Sequence, residues 1–304
     1  TTPEHVAMVN RAIGERSQAT SWPQSVVDRL GIRKIAINTL RDIAFEGLPN
    51  VPVAIPTWED RQAWVAKLTS NNTTRGTQDA AREAIAQRVA ELAEMGIRGM
   101  RVAAEPFEQH GKEAVMLPDV VEDQHLQHWQ AEAFLSHALF AALGEHNMFA
   151  QLFLGVERDV SPRTAMGVND PRRIINLYPL FERYTAGFEL VIGAPQNNLD
   201  AAQAARIYPN VHLGGLWWYN FRRSTYTHTF RVRVEAVPAS KSAIVASDAR
   251  CIEWCYGKIL LVKTVLADFL HEQVAGGWLS EADALWIARE WLHDAAARRY
   301  LTNE

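Results

Sequence analysis

Short apolar runs recur along this chain, each closed by a polar cluster and followed by a stretch of helical period, and that alternation restricts the fold more than any other feature. Seven runs read as strands: RKIAIN (33–38), VPVAIP (51–56), RGMRVAA (98–104), MFAQLFLGV (148–156), GFELVIGA (187–194), NVHLGGLWW (210–218) and SAIVAS (242–247). Strands separated by helices pair in parallel, with the helices covering the sheet. The helices are equally plain: TQDAAREAIAQRVAELAEMG runs to a Gly stop, and DQHLQHWQAEAFLSHALFAALGEH nearly does so at Gly144. The last helix opens on SEAD, where Ser280 and Asp283 have capping-box spacing, and Leu285, Ala288, Leu292 and Ala296 predict its buried stripe. TSNNTTRGTQ (69–78) reads as a polar loop, and no internal repeat is present.

The polar clusters that close the strands are Asn38 and Thr39; Thr57, Trp58 and Glu59; Glu105; Glu157, Arg158 and Asp159; Gln196 and Asn197; Trp217 to Asn220; and Asp248 with Arg250. A (β/α)8 barrel of the TIM type builds its active site from the C-terminal ends of its strands, and this distribution is what such an enzyme requires. A doubly wound open sheet is the competitor, but it usually carries a Gly-rich phosphate turn, and neither G-x-G-x-x-G nor a Walker motif occurs here. The expectation is one α/β domain over 1–304, a (β/α)8 barrel. Seven strands are one short. The opening HVAMVNRAIGERSQATSWPQSVVDRLG is helical in period and leads straight into a strand, so it reads as the helix before strand two, with the first strand expected ahead of it.

With 304 residues, 48% of them hydrophobic, the chain can bury a large core. Its formal charge is −4 and its basic residues are dispersed, which argues against a nucleic-acid partner. No apolar run approaches the roughly 20 residues of a bilayer span, and the opening TTPEHVAMVNRA has no secretory pattern. Cys251 and Cys255, the only cysteines, have neither disulfide-framework nor zinc-knuckle spacing. These features point to a cytoplasmic protein acting on a small molecule, without a membrane partner; the protein partner expected is a further copy of the chain, as a homo-oligomer.

Three segments carry a family likeness. In QLFLGVER (151–158) a Gly is followed three residues later by Arg; HLGGLWWYN holds a double Trp; SDAR (247–250) is an Asp-x-Arg at the end of the last strand. From about residue 145 onward the chain resembles the uronate isomerases, a branch of the amidohydrolase superfamily built on a distorted (β/α)8 barrel. The closing AAARRY, the turn IPTWED (55–60) and ELAEMGIRGMR (91–101) are similar as well. The chain departs from the pattern in three places. Phe153 stands where the family has His, Met100, Arg101 and Val102 stand where it has Ser-Asp-His, and no His-x-His occurs.

The resemblance implies interconversion of aldose and ketose sugar acids. That reaction removes a proton from carbon two, delivers one to carbon one and stabilises charge on the enediol oxygen between, which suits a carboxylate and a fixed cation. By resemblance Asp248 is the catalytic carboxylate and Arg250 its charge partner, with Asp248 also a candidate ligand for a divalent metal such as Zn. On spacing alone the same pair reads as a helix N-cap and a solvated Arg. Arg158 is the candidate fork for a substrate carboxylate, or else an ion pair with Glu157 or Asp159. Trp217 and Trp218 point to opposite faces of a strand, so one is due at a pocket and the other in packing, unless both are core.

Glu105 is a candidate acid or base, with a loop salt bridge as the plainer reading, and Glu59 is similar. His228 follows the double Trp in a Tyr-, Thr- and Arg-rich loop and could reach the site, whereas His212 begins its strand, the wrong end. His125 and His128 lie one helical turn apart, on an exposed helix start or as a metal pair. Arg222, Arg223, Arg231 and Arg233 form a basic region, either solvated or attracting an anionic substrate. The alternatives to an isomerase are a metal-dependent hydrolase or lyase acting on a hydroxylated carboxylate, and a non-catalytic ligand-binding relative.

Overall fold

The computed structural model describes residues 2–39, 52–119, 125–161, 164–217 and 220–301. The apolar runs become strands β1 (Ile35–Ile37), β2 (Pro52–Ala54), β3 (Gly99–Val102), β4 (Phe149–Leu154), β7 (Gly187–Ile192) and β8 (Val211–Leu216). Between them, β5 (Val156–Ser161) and β6 (Thr164–Gly167) form an antiparallel hairpin that the period did not predict, because it grows directly out of the end of β4 through Gly155.

β1 and β2 pair in parallel, and β3-β4-β7-β8 form a parallel sheet in sequence order. Isolated parallel bridges extend the series at both sides. Thr57 pairs with Arg101, and Ser242 and Val245 pair with Leu213 and Leu216. All seven predicted strand segments therefore follow one another in parallel. The helix layer comes round on itself. Helix Trp22–Leu30, which precedes β1, lies against helix Ile252–Ala275, which follows the last segment, through Lys263 Nζ donating to Leu30 O at 2.9 Å and Trp22 Nε1 donating to Glu253 at 2.7 Å. No strand pairing joins β1 to 242–247 among the described residues, so the predicted closed eight-stranded barrel is not observed. What is observed is an α/β fold of parallel strands with one antiparallel hairpin.

The period of two divides each strand between two environments. Met100, Val102, Ala150, Leu152, Leu154, Phe188, Leu190, Ile192, Val211, Leu213 and Leu216 are buried in the main core with the helices. Full burial of such side chains contributes about 1.5–3 kcal/mol each. The alternate residues, Gly99 and Arg101, Gln151 and Phe153, Glu189 and Val191, His212 and Gly214, share the opposite, inner face.

Two helix expectations shift. The 69–78 loop is shorter than predicted: helix Arg75–Glu94 begins inside it, fastened by a Thr74/Thr77 capping box. In the last helical run Leu285 and Leu292 are exposed, and the buried stripe is Ala284, Ile287, Trp291 and Ala295. Both stripes have helical period; the one holding Trp291 wins because an indole buries more apolar surface than a leucine. Among the described residues no helix is long and apolar enough to cross a membrane.

Candidate functional site

At the N-terminal end of the strands the inner face is closed by the chain's own last helix. Tyr300 lies against the first residue of β3, where a Cβ on Gly99 would come within 2.6 Å of the Tyr300 ring. Only glycine admits the ring there. Glu189 is the hub of this layer. It accepts from the Tyr300 hydroxyl at 2.6 Å, from Arg299 at 2.9 Å and from Gln151 Nε2 at 2.8 Å. Asn38 Nδ2 adds a longer contact to Gln151 Oε1 at 3.4 Å. Burial raises the Tyr300 phenol well above its usual pKa, and the Glu189 charge adds to the shift. Burial also pushes His212 down to about 3, with Arg299, Lys241 and Arg298 opposing its protonation, so it is a neutral ring set edge-on to Phe149.

One layer higher the inner face turns apolar. Phe153, Val156, Val191, Trp217 and Ala246 pack together, with Phe153 and Trp217 edge to face at 5.0 Å. The Arg101 guanidinium lies over the Phe153 ring at 4.5 Å. Phe153 is thus the centre of an Arg101–Phe153–Trp217 stack. Among the described residues no group of three His, Cys, Asp or Glu side chains could hold a metal ion. Asp248 belongs to no such group among the described residues. His125 lies outside helix His128–Glu145, so the two histidines are not one turn apart on a helix; His128 faces Glu132 at 3.8 Å.

At the C-terminal ends the side chains are polar again. Asp248 is exposed and holds φ at 45°, a left-handed conformation uncommon outside glycine. Lys258, from the following helix, donates to Ser247 O at 2.5 Å and lies over the Phe221 ring at 4.5 Å. Burial lowers its pKa, and the Asp248 charge acts in the opposite direction. Asn220 is fully buried and ties two strand ends together, its Nδ2 donating to Ile192 O and Trp217 O at 2.9 Å each.

On the β4 side, Glu108 accepts the Gly155 N–H at 2.8 Å and meets Arg173 at 3.4 Å, and Arg173 in turn holds Glu157 at 2.8 Å. Burial pushes Glu108 up to about 7 against the pull of the Gly155 N–H and Arg173. Between the hairpin and the ends of β7 and β8 opens a cleft of about 270 Å³, lined by Met166, Gly167, Asn169, Gly193, Pro195 and Arg222.

No protein-family model and no curated protein sequence matches the chain. Solved structures do. The chain is similar to a uronate isomerase from Thermotoga maritima, with a TM-score of 0.69 at 16% identity over 92% of this chain and 70% of that one. A uronate isomerase from Bacillus halodurans gives 0.66 at 16% identity, over 92% and 68%. A protein from Lactobacillus casei, provisionally named a metal-dependent hydrolase, gives 0.67 at 12% identity, over 92% and 76%. The fold is shared with uronate isomerases. At these identities the likeness is one of fold.

On this uronate-isomerase-like fold the expected site residues are spread unevenly. Asp248 and Arg250 stand exposed just beyond the last strand segment. Trp217 is 4% exposed and packs in the inner layer below the strand ends. Its partner Trp218 lies outside the described residues, as does the side chain of Arg158, whose backbone belongs to β5. Glu105 is exposed at the start of helix Glu105–His110. His228 is not in a loop: it is an exposed residue of helix Arg223–Ala236. Of the basic region, Arg233 is fully buried, donating to Asn198, Ser242 and Ala243, and Arg223 pairs with Asp268 at 2.9 Å. The residues that reasoning from sequence passed over are Glu108, Arg173 and Lys258. Each takes its character from a neighbour distant in the chain, and no local pattern marks them.

Proposed function

We propose that this chain is a uronate-isomerase-like enzyme that interconverts aldose and ketose forms of a sugar acid by proton transfer. Asp248 moves the proton between carbons two and one. Arg250, two residues on, stabilises the charge that develops on the enediol oxygen. Arg158, Glu105, His228 and the double Trp are the substrate-binding residues of this reading. The observation that carries it is Asp248 itself, an exposed carboxylate held at φ 45° at the end of the last strand segment, since non-glycine residues in this region concentrate at functional sites. Shared fold with uronate isomerases supports the reaction class.

The test is exchange of the carbon-two proton, followed by NMR in deuterated water, on D-glucuronate and D-galacturonate. Exchange by the wild type that disappears in Asp248→Asn, with the variant's melting temperature unchanged, is the expected result. Equal exchange in the variant overturns the role of Asp248, and no exchange by the wild type overturns the isomerase reading. The likeness to the Lactobacillus casei protein supports the hydrolase reading, for which chelator-sensitive hydrolysis without proton exchange is the signature.

A further inference from the structure

We infer that the cleft beside β7 is an anion-binding subsite in which Arg222 anchors the carboxylate of a small hydroxylated acid. This inference rests on the sugar-acid reading above and assigns the anchoring role to Arg222 rather than Arg158.

The first ground is the shape of the cleft. Gly193, the residue after β7, forms part of its wall, and a Cβ there would approach Val156 Cγ2 to 2.4 Å and Trp217 Nε1 to 3.0 Å. A side chain at 193 has no room, so the strand end stays bare and the Trp217 indole stands directly behind it. The cleft's roughly 270 Å³ lies just below the range of drug-sized pockets, about 300–1,000 Å³, and suits a small ligand.

The second ground is charge. The neighbouring arginines are paired: Arg173 with Glu157 at 2.8 Å, Arg172 with Asp170 at 3.6 Å, and Arg223 with Asp268 at 2.9 Å. Among the described residues Arg222 lines the cleft with no carboxylate partner, and none of the described side chains that line it is acidic. The next residue back, Phe221, carries the Lys258 ammonium on its ring and adds to the positive field. Asn169 accepts the Gln196 N–H with its Oδ1 at 3.0 Å, which leaves its NH2 as a donor for a ligand oxygen. A planar guanidinium with five donors matches a carboxylate bidentately.

The third ground is reach. The strand ends beside the cleft belong to β7 and β8, and the segment that ends in Asp248 pairs with β8. Two inter-strand spacings are roughly 10 Å, a span that an extended six-carbon acid and two side chains can cover. The far end of an acid anchored on Arg222 is therefore within a span that can reach the segment ending in Asp248.

Titration calorimetry of the full chain with D-glucuronate, D-galacturonate, D-gluconate and neutral D-glucose tests this. The wild type is expected to bind acids and not glucose. Arg222→Met should weaken acid binding at least about tenfold, Arg222→Lys should restore part of it, and Arg223→Met, which removes an adjacent but paired charge, should leave it unchanged. Wild-type affinity in Arg222→Met overturns the subsite, as does a wild type that binds none of the acids. Binding of gluconate but neither uronate, lost in Arg222→Met, supports the anchor and removes only the aldose–ketose reading. Uronate turnover with an unchanged KM in Arg222→Met overturns the anchor alone.

Discussion

At the N-terminal end of the parallel strands, Glu189 is 4% exposed and shared among Arg299, Tyr300 and Gln151; at the C-terminal end, Asp248 and Arg250 are exposed and Arg222 has no acidic partner among the described residues. The same residue types are used for opposite purposes. Below, the last helix delivers a cation and a phenol to a buried carboxylate, which fastens the end of the chain into the strand layer. Above, carboxylate and cations are left to water, where a ligand can take them. The apolar layer of Phe153, Val191 and Trp217 separates the two ends.

The comparison is broken most severely by Glu189→Ala. Removing one partner of a buried pair typically costs about 3–5 kcal/mol, because Arg299 would be left buried and uncompensated. Urea unfolding should show a loss of that size; a loss under about 1 kcal/mol would mean that the base does not fasten the fold.

Glu108 sharpens the contrast, since it is a buried carboxylate near the upper end. Its folded pKa of about 7 lies above the ordinary 4.5, so the native state keeps a proton that the unfolded chain releases. Between those values the unfolded chain binds fewer protons, and its contribution to stability falls as pH rises, by up to on the order of 3 kcal/mol in all. Glu108→Gln should flatten that slope in urea melts at pH 5 to 8, and an identical slope in both proteins would refute the assignment.

Phe153→Ala removes the ring between Arg101 and Trp217 and should cost about 2 kcal/mol, with a shift in tryptophan fluorescence that locates the change. A silent spectrum would argue against the stack.

The smallest effect is expected at Asp248. Asp248→Gly relieves a left-handed conformation and should leave stability within about 1 kcal/mol of the wild type, on the favourable side. Asp248→Asn should be within about 0.5 kcal/mol. If thermal melts show Asp248→Asn to be clearly destabilised, Asp248 is a structural cap and the two ends are alike.

How much of this could be read from the chain alone varied with the range of the forces involved. Strand runs such as GFELVIGA and capped helices such as the one opening at Ser280 are written in local period and capping chemistry, and they appear where expected. The turn into the β5-β6 hairpin was missed because the run QLFLGV continues without a break signal other than Gly155. The stripe of the last helix was misplaced because two stripes satisfied the same period. At the site, Asp248 and Arg250 were legible as a polar pair after a strand. The loop assigned to His228 proved to be helix, since its Thr and Tyr neighbours also satisfy a helical face once Tyr226 and Phe230 are buried.

The sequence by itself determined the parallel α/β class and the end of the strands at which polar residues gather, because hydrophobic period and turn chemistry act over a few neighbouring residues. Only the tertiary structure decided which charges are neutralised. Glu189 and Arg299 lie 110 residues apart and become partners, while Arg222 and Arg223 are adjacent and, among the described residues, only Arg223 meets an acid. Ion pairing and burial are set by distance in space, and the order of residues along the chain does not contain it.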